Sequence, residues 1–181
     1  MSVDSAYNLV ASSTITSATA FTDLDGMNST YRIYVVYCAD VKPSEASYLQ
    51  IKPKVSGSVV TGFNNQTAGR RTLMTSGNPG LYASGSIGGT REYIAQTGYH
   101  AHSSTGSNSY MEAYILNSQS SSHHTFVNCH WVTNQDATNY GGYGVQGFEF
   151  QTDDILTGVR IAMSAGTINN GKFLLYGLDK S

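Results

Sequence analysis

The chain has 181 residues, 12% of them charged against a usual share of roughly 25%, while Gly, Ser, Thr and Asn number 19, 23, 18 and 12. This excludes a solvated helical protein, which carries far more Glu, Lys, Ala and Leu, and 40% hydrophobic residues exclude a disordered chain. A formal net charge of −2 with scattered basic residues argues against a nucleic-acid binder, whose affinity comes from neutralised phosphates.

The length suits one domain, large enough to fold without disulfides or metal. Residues 1–14 are polar with isolated apolar positions and read as an extended N-terminal arm, ordered only where something docks it. The folded domain is expected over 15–181. Residues 15–21 suit an edge strand, and Asp23-Leu24-Asp25-Gly26 opens a turn cluster. Residues 31–39, rich in Tyr and Val, predict the clearest early strand, which ends at Lys42-Pro43. Residues 48–55 alternate polar and apolar, with Pro53 marking a strand edge. The stretch 64–109 is crowded with turn residues and reads as long loops carrying short strands near Leu73, Leu81 and Arg91. Strands are expected over 110–116, 124–132, 145–150, 155–163 and 172–178.

No segment carries a capped apolar stripe at helical spacing, no run of about 18 apolar residues forms a membrane-spanning helix, and no repeat has a fixed period. Eight or more short strands separated by turns predict a single-domain, all-β antiparallel β-sandwich, jelly-roll-like. The start, Met1-Ser2-Val3-Asp4-Ser5, has neither the basic residues nor the apolar stretch of a secretory signal. The protein is therefore expected to be made in the cytoplasm.

Cys38 and Cys129 both sit in strand-like segments and read as buried free thiols. Cys129 and His130 are neighbours, so a strand points them to opposite faces and excludes a dyad between them. The pair His100 and His102 would place two imidazoles on one strand face, but no spacing selects further ligands for zinc, so no metal or other cofactor is expected. Asp23/Asp25 and Asp153/Asp154 are paired carboxylates of the kind glycoside hydrolysis uses, yet turn chemistry accounts for both pairs. Neither a phosphate loop nor a nucleophile elbow is present, so the chain is not expected to be an enzyme.

Tyrosine, at 13 residues, is the unusual component. Tyr99, Tyr140 and Tyr143, with His100 and His102, fall in loops rich in Gly, Ser and Asn, a composition that makes adaptable contact surfaces. The same rings would also serve to cap the sandwich ends, and the two roles are compatible. These five residues are the candidate binding set.

The stretch 155–178 closes on Gly171-Lys172-Phe173-Leu174-Leu175-Tyr176-Gly177-Leu178. With Ile15-Thr16-Ser17-Ala18 and Tyr31-Arg32-Ile33-Tyr34-Val35, it resembles the ends of a group of tailed-phage virion proteins that decorate the capsid or form part of a tail fibre. The resemblance implies a virion structural protein: a capsid decoration (cement) protein bound to the major capsid protein as a homotrimer, its arm reaching over neighbouring subunits. The alternative it implies is a tail-fibre protein attaching to a host surface glycan or protein. Either way the expected localisation is the virion, with no nucleic acid or membrane as partner.

Overall fold

The computed structural model describes residues 7–74, 80–86, 90–97, 101, 108–134 and 141–178. Side-chain alternation with period two runs through these segments, and every strand pairing among them is antiparallel. The larger sheet runs β1 (Tyr7–Ile15), β14 (Ile168–Leu178), β3 (Ile33–Pro43), β10 (Ser109–Leu116), β11 (Thr125–Asn134), β12 (Gly141–Phe150), β6 (Phe63–Met74) and β7 (Gly80–Ser86), with β8 (Thr90–Arg91) also on β6. The smaller runs β2 (Phe21–Asp25), β13 (Leu156–Met163), β4 (Leu49–Val55) and β5 (Ser58–Val59), with β9 (Ala95–Gln96) also on β4. The expected all-β antiparallel sandwich is therefore the fold. The chain ends nest, β1 beside β14 in one sheet and β2 beside β13 in the other, which wraps the polypeptide as in a jelly roll.

The core lies between the sheets. From the larger sheet come Tyr34, Val36, Cys38, Met111, Ile115, Trp131 and Phe173; Leu24, Leu49, Ile51, Val159 and Ile161 come from the smaller. Tyr34 keeps its hydroxyl satisfied inside the core: it donates to the Asn28 carbonyl and accepts from the Asn28 amide, both at 2.7 Å. Cys38 and Cys129 are buried free thiols, as expected, and their strands are separated by β10.

The two closing glycines of the C-terminal segment have a packing reason. A Cβ on Gly177 would lie 2.2 Å from the Tyr31 ring, and one on Gly171 would lie 2.5 Å from the Phe173 ring. The hairpin turn between β4 and β5 is Ser56-Gly57, with φ of 50° and 80°, the paired left-handed conformation of a type I′ turn. Pro53 stands where the partner of β4 changes from β9 to β5, so its missing N–H interrupts no continuous ladder.

Three expectations are corrected. Residues 7–14 do not form an arm. They make up most of β1, which pairs along β14 from Tyr7–Leu178 to Ile15–Gly171. The register shifts between Leu9 and Ala11, and that bulge breaks the alternation that would have marked a strand. Residues 1–6 of the expected arm lie outside the described residues. Asp23 and Asp25 belong to strand β2 rather than to a turn. Within the stretch read as loops, β6 is a twelve-residue strand: despite its Asn, Gly and Arg, it finds a ladder on both sides, from β12 and β7.

Candidate binding face

The outer face of the larger sheet is the unusual surface. Its cross-strand rows follow from register. One row runs Leu174, Tyr37, Glu112, His130, Val145 and Arg70; the next runs Leu9, Tyr176, Val35, Tyr114 and Asn128. Eight large apolar side chains are exposed among the described residues, and six of them (Tyr7, Leu9, Phe126, Val132, Tyr143 and Val145) belong to this face. Val35 is fully buried yet is not part of the inter-sheet core; it stands on this face between its row neighbours Tyr176 and Tyr114.

Glu112 anchors a tyrosine cluster there. Tyr114 donates to its Oε1 at 2.7 Å and Tyr110 to its Oε2 at 3.3 Å. Tyr37 faces the same carboxylate from directly across the ladder, and Tyr7 is hydrogen-bonded to Tyr114. The rings also hold one another. Tyr176 stands edge-on to Tyr7 and Tyr37 at 6.0 and 5.7 Å between centroids, and Tyr110 lies 6.5 Å from Tyr37.

The electrostatics follow from this geometry. Partial burial pushes the Glu112 carboxyl up, but hydrogen bonds from Tyr114, Tyr37 and Tyr110 and the charge of His130 outweigh it and hold the group below the ordinary range. Burial and the same carboxylate push the Tyr110 phenol up to about 12 and raise Tyr37 as well. Tyr114 is raised by its bonds to Tyr7 and Glu112 and by burial. At neutral pH the cluster is a set of protonated hydroxyls converging on one carboxylate. Beside it a depression of about 430 Å³ is lined by Tyr7, Tyr37, Ala39, Lys172, Leu174 and Tyr176.

The smaller sheet turns a different face to solvent. Arg160 holds Asp23 through two hydrogen bonds at 2.7 and 2.9 Å and covers the Phe21 ring at 3.5 Å. Lys54, nearly buried, bonds Asp23 at 3.0 Å and Asp25 at 2.7 Å. The carboxylates that resembled a hydrolytic pair are thus ion-paired. Arg160 above all, with Lys54, holds the Asp23 carboxyl below its usual range. His124 bonds Glu149 at 2.9 Å. Among the described residues no three His, Cys, Asp or Glu side chains gather as a metal site.

Of the five residues in the candidate binding set, Tyr99, His100, His102 and Tyr140 lie outside the described residues. Tyr143 does not sit in a loop: it belongs to β12, opposite Val132, and is exposed on the face just described. Cys129 points into the core and His130 away from it, so the two part as expected. Sequence reading missed Tyr7, Tyr37, Glu112, Tyr114 and Tyr176. The available signal was the alternation Tyr110-x-Glu112-x-Tyr114, which puts three polar-tipped side chains on one strand face.

Neither a known family nor a curated protein matches the sequence. One solved structure is distantly similar. It is the CBM2 module of the evolved Dit of Lactobacillus casei BL23 phage J-1, 9% identical, with a TM-score of 0.27 over 97% of this chain and 80% of that one. A likeness of that size carries no argument about function.

Proposed function

We propose that the chain is a non-catalytic structural protein of a tailed-phage virion that adheres through the outer face of its larger sheet. The observation behind this is that six exposed apolar side chains stand on one sheet face, Tyr7 and Leu9 on β1 and Phe126, Val132, Tyr143 and Val145 on β11 and β12, with Glu112 and His130 among them. Exposed apolar side chains gathered on one face mark an interaction site rather than a solvated wall. Among the described residues the strands of the smaller sheet expose one large apolar side chain, Phe21, and Asp23, Asp25, Lys54 and Arg160 are paired among themselves. The setting comes from the resemblance of the Leu175-Tyr176-Gly177-Leu178 ending to that of phage virion proteins.

Within that setting the reading is capsid decoration: the major capsid protein is the partner, the chain acts as a homotrimer, and many copies multiply modest contacts. No cofactor, nucleic acid or membrane enters. Because the sheet holds residues 7–14, the particle contact is assigned to the apolar face and not to an arm. The tyrosine depression favours a second reading, a tail-fibre protein attached to a host surface.

Imaging purified virions with the protein labelled, together with its copy number, tests the proposal. Shell-wide labelling at a copy number commensurate with the capsid supports decoration, and labelling confined to the tail supports the second reading. Absence from virions overturns both. The paired substitution Val132→Asp and Val145→Asp, which leaves the core untouched, should abolish particle binding by a folded protein.

A further inference from the structure

We infer that the depression lined by Tyr7, Tyr37, Tyr176, Leu174 and Lys172 binds a neutral carbohydrate chain through the flat C–H faces of its pyranose rings. The inference rests on the adhesive reading of this face but not on where the protein sits in the particle. Four observations select that ligand.

The floor of the depression lies over β14 and β3, which are paired on both sides; the sheet's edge is β1, which supplies Tyr7, so a peptide strand could add only outside Tyr7, and across the floor recognition falls to side chains. Those side chains combine apolar floor and polar rim at close quarters: Leu174 and Ala39 lie beside three phenol rings, with the Lys172 ammonium at one end. A pyranose matches this pattern, because an apolar C–H face is flanked by equatorial hydroxyls on the same small scale.

Charge complementarity points to a neutral ligand. Lys172 forms no ion pair among the described residues, while the Glu112 carboxylate lies one strand from the depression and opposite Tyr37. A single cation in the lining with a carboxylate one strand away selects neither a polyanion nor a polycation.

The site is also set before the ligand arrives. Tyr176 stands edge-on to both Tyr7 and Tyr37, and Tyr37 in turn packs on Tyr110, whose hydroxyl is tied to Glu112. Rings already held in place lose little freedom on contact, which is where much of the cost of binding otherwise lies. A volume of about 430 Å³ falls within the range of about 300–1,000 Å³ typical of small-ligand sites.

Calorimetric titration of the full chain with maltohexaose, cellohexaose and a β-linked galactohexaose, and with oligogalacturonate as the charged counterpart, tests the inference. Binding to at least one neutral oligosaccharide is expected. Tyr37→Ala and Tyr176→Ala should each weaken it by about tenfold or more, as loss of an anchoring ring does. Ile155→Ser, an exposed substitution in the segment before β13, should leave it unchanged. Tyr37→Phe keeps the ring and guards against misfolding: it should retain most of the affinity if stacking dominates. Failure of all three neutral sugars, binding of oligogalacturonate alone, or equal loss in Ile155→Ser overturns the inference. Sugar binding by a protein absent from virions supports the inference and sinks the virion proposal. A virion protein that binds none of the sugars does the reverse.

Discussion

The Trp131 ring occupies the space beside Gly144 on the next strand: a Cβ at Gly144 would come within 2.5 Å of the indole ring and 2.8 Å of the Arg70 carbonyl. Trp131 is among the largest fully buried side chains, so the absent Cβ is what lets β12 approach it. Gly144→Ala is therefore expected to destabilise the fold by about 1–3 kcal/mol, as overpacking does. Thermal melting should show a midpoint lower by several degrees, with the strand spectrum retained below it. An unchanged midpoint would remove the packing argument.

The tyrosine cluster predicts an unusual alkaline titration. A phenol whose folded value is raised above its unfolded value near 10 contributes stability that is complete below pH 10 and is lost as the pH climbs through the folded value. Tyr110, at about 12, and the likewise raised Tyr37 and Tyr114 should thus ionise late in the ultraviolet titration. Glu112→Gln removes the carboxylate that opposes their ionisation, so this late phase should move toward pH 10. A titration identical in the variant would show that Glu112 does not govern the cluster.

At the acid end Asp23 matters. Its carboxyl is held low by Arg160 first and then Lys54, so the unfolded chain takes up this proton before the folded one does. The stability it contributes is present above about pH 4 and is lost as the pH falls through the folded value. Urea midpoints measured from pH 7 down to pH 3 should fall, and Asp23→Asn should be less stable at pH 7 with a shallower decline. Part of the decline should remain, because Glu112 and Glu149 are also held below their ordinary values.

Removing residues 1–14 should damage the fold itself. The deletion takes all of β1 but Ile15, strips the ladder from one side of β14 and uncovers the Tyr176 ring that Tyr7 abuts. An exposed edge on β14 is a template for association. Lower thermal stability and aggregation are expected from melting and light scattering, whereas a detachable arm would leave both unchanged.

Much of the architecture was legible in the linear chain. Runs such as Tyr34-Val35-Val36-Tyr37-Cys38 and Met111-x-Ala113-x-Ile115 carry period-two alternation and β-branched or aromatic side chains, a local property that places strands without knowledge of their partners. The same locality separated Cys129 from His130. Sequence alone thereby determined an antiparallel β-sandwich with two buried thiols. Tertiary structure decided the rest. β1 and β6 are strands because β14, β12 and β7 complete their hydrogen bonds, and a bulge or a run of polar residues hides that from the local pattern. Pairing also brought Tyr7, Tyr37, Glu112, Tyr114 and Tyr176 together from four strands. A binding face assembled from residues up to about 170 positions apart is a consequence of register, which no single segment encodes.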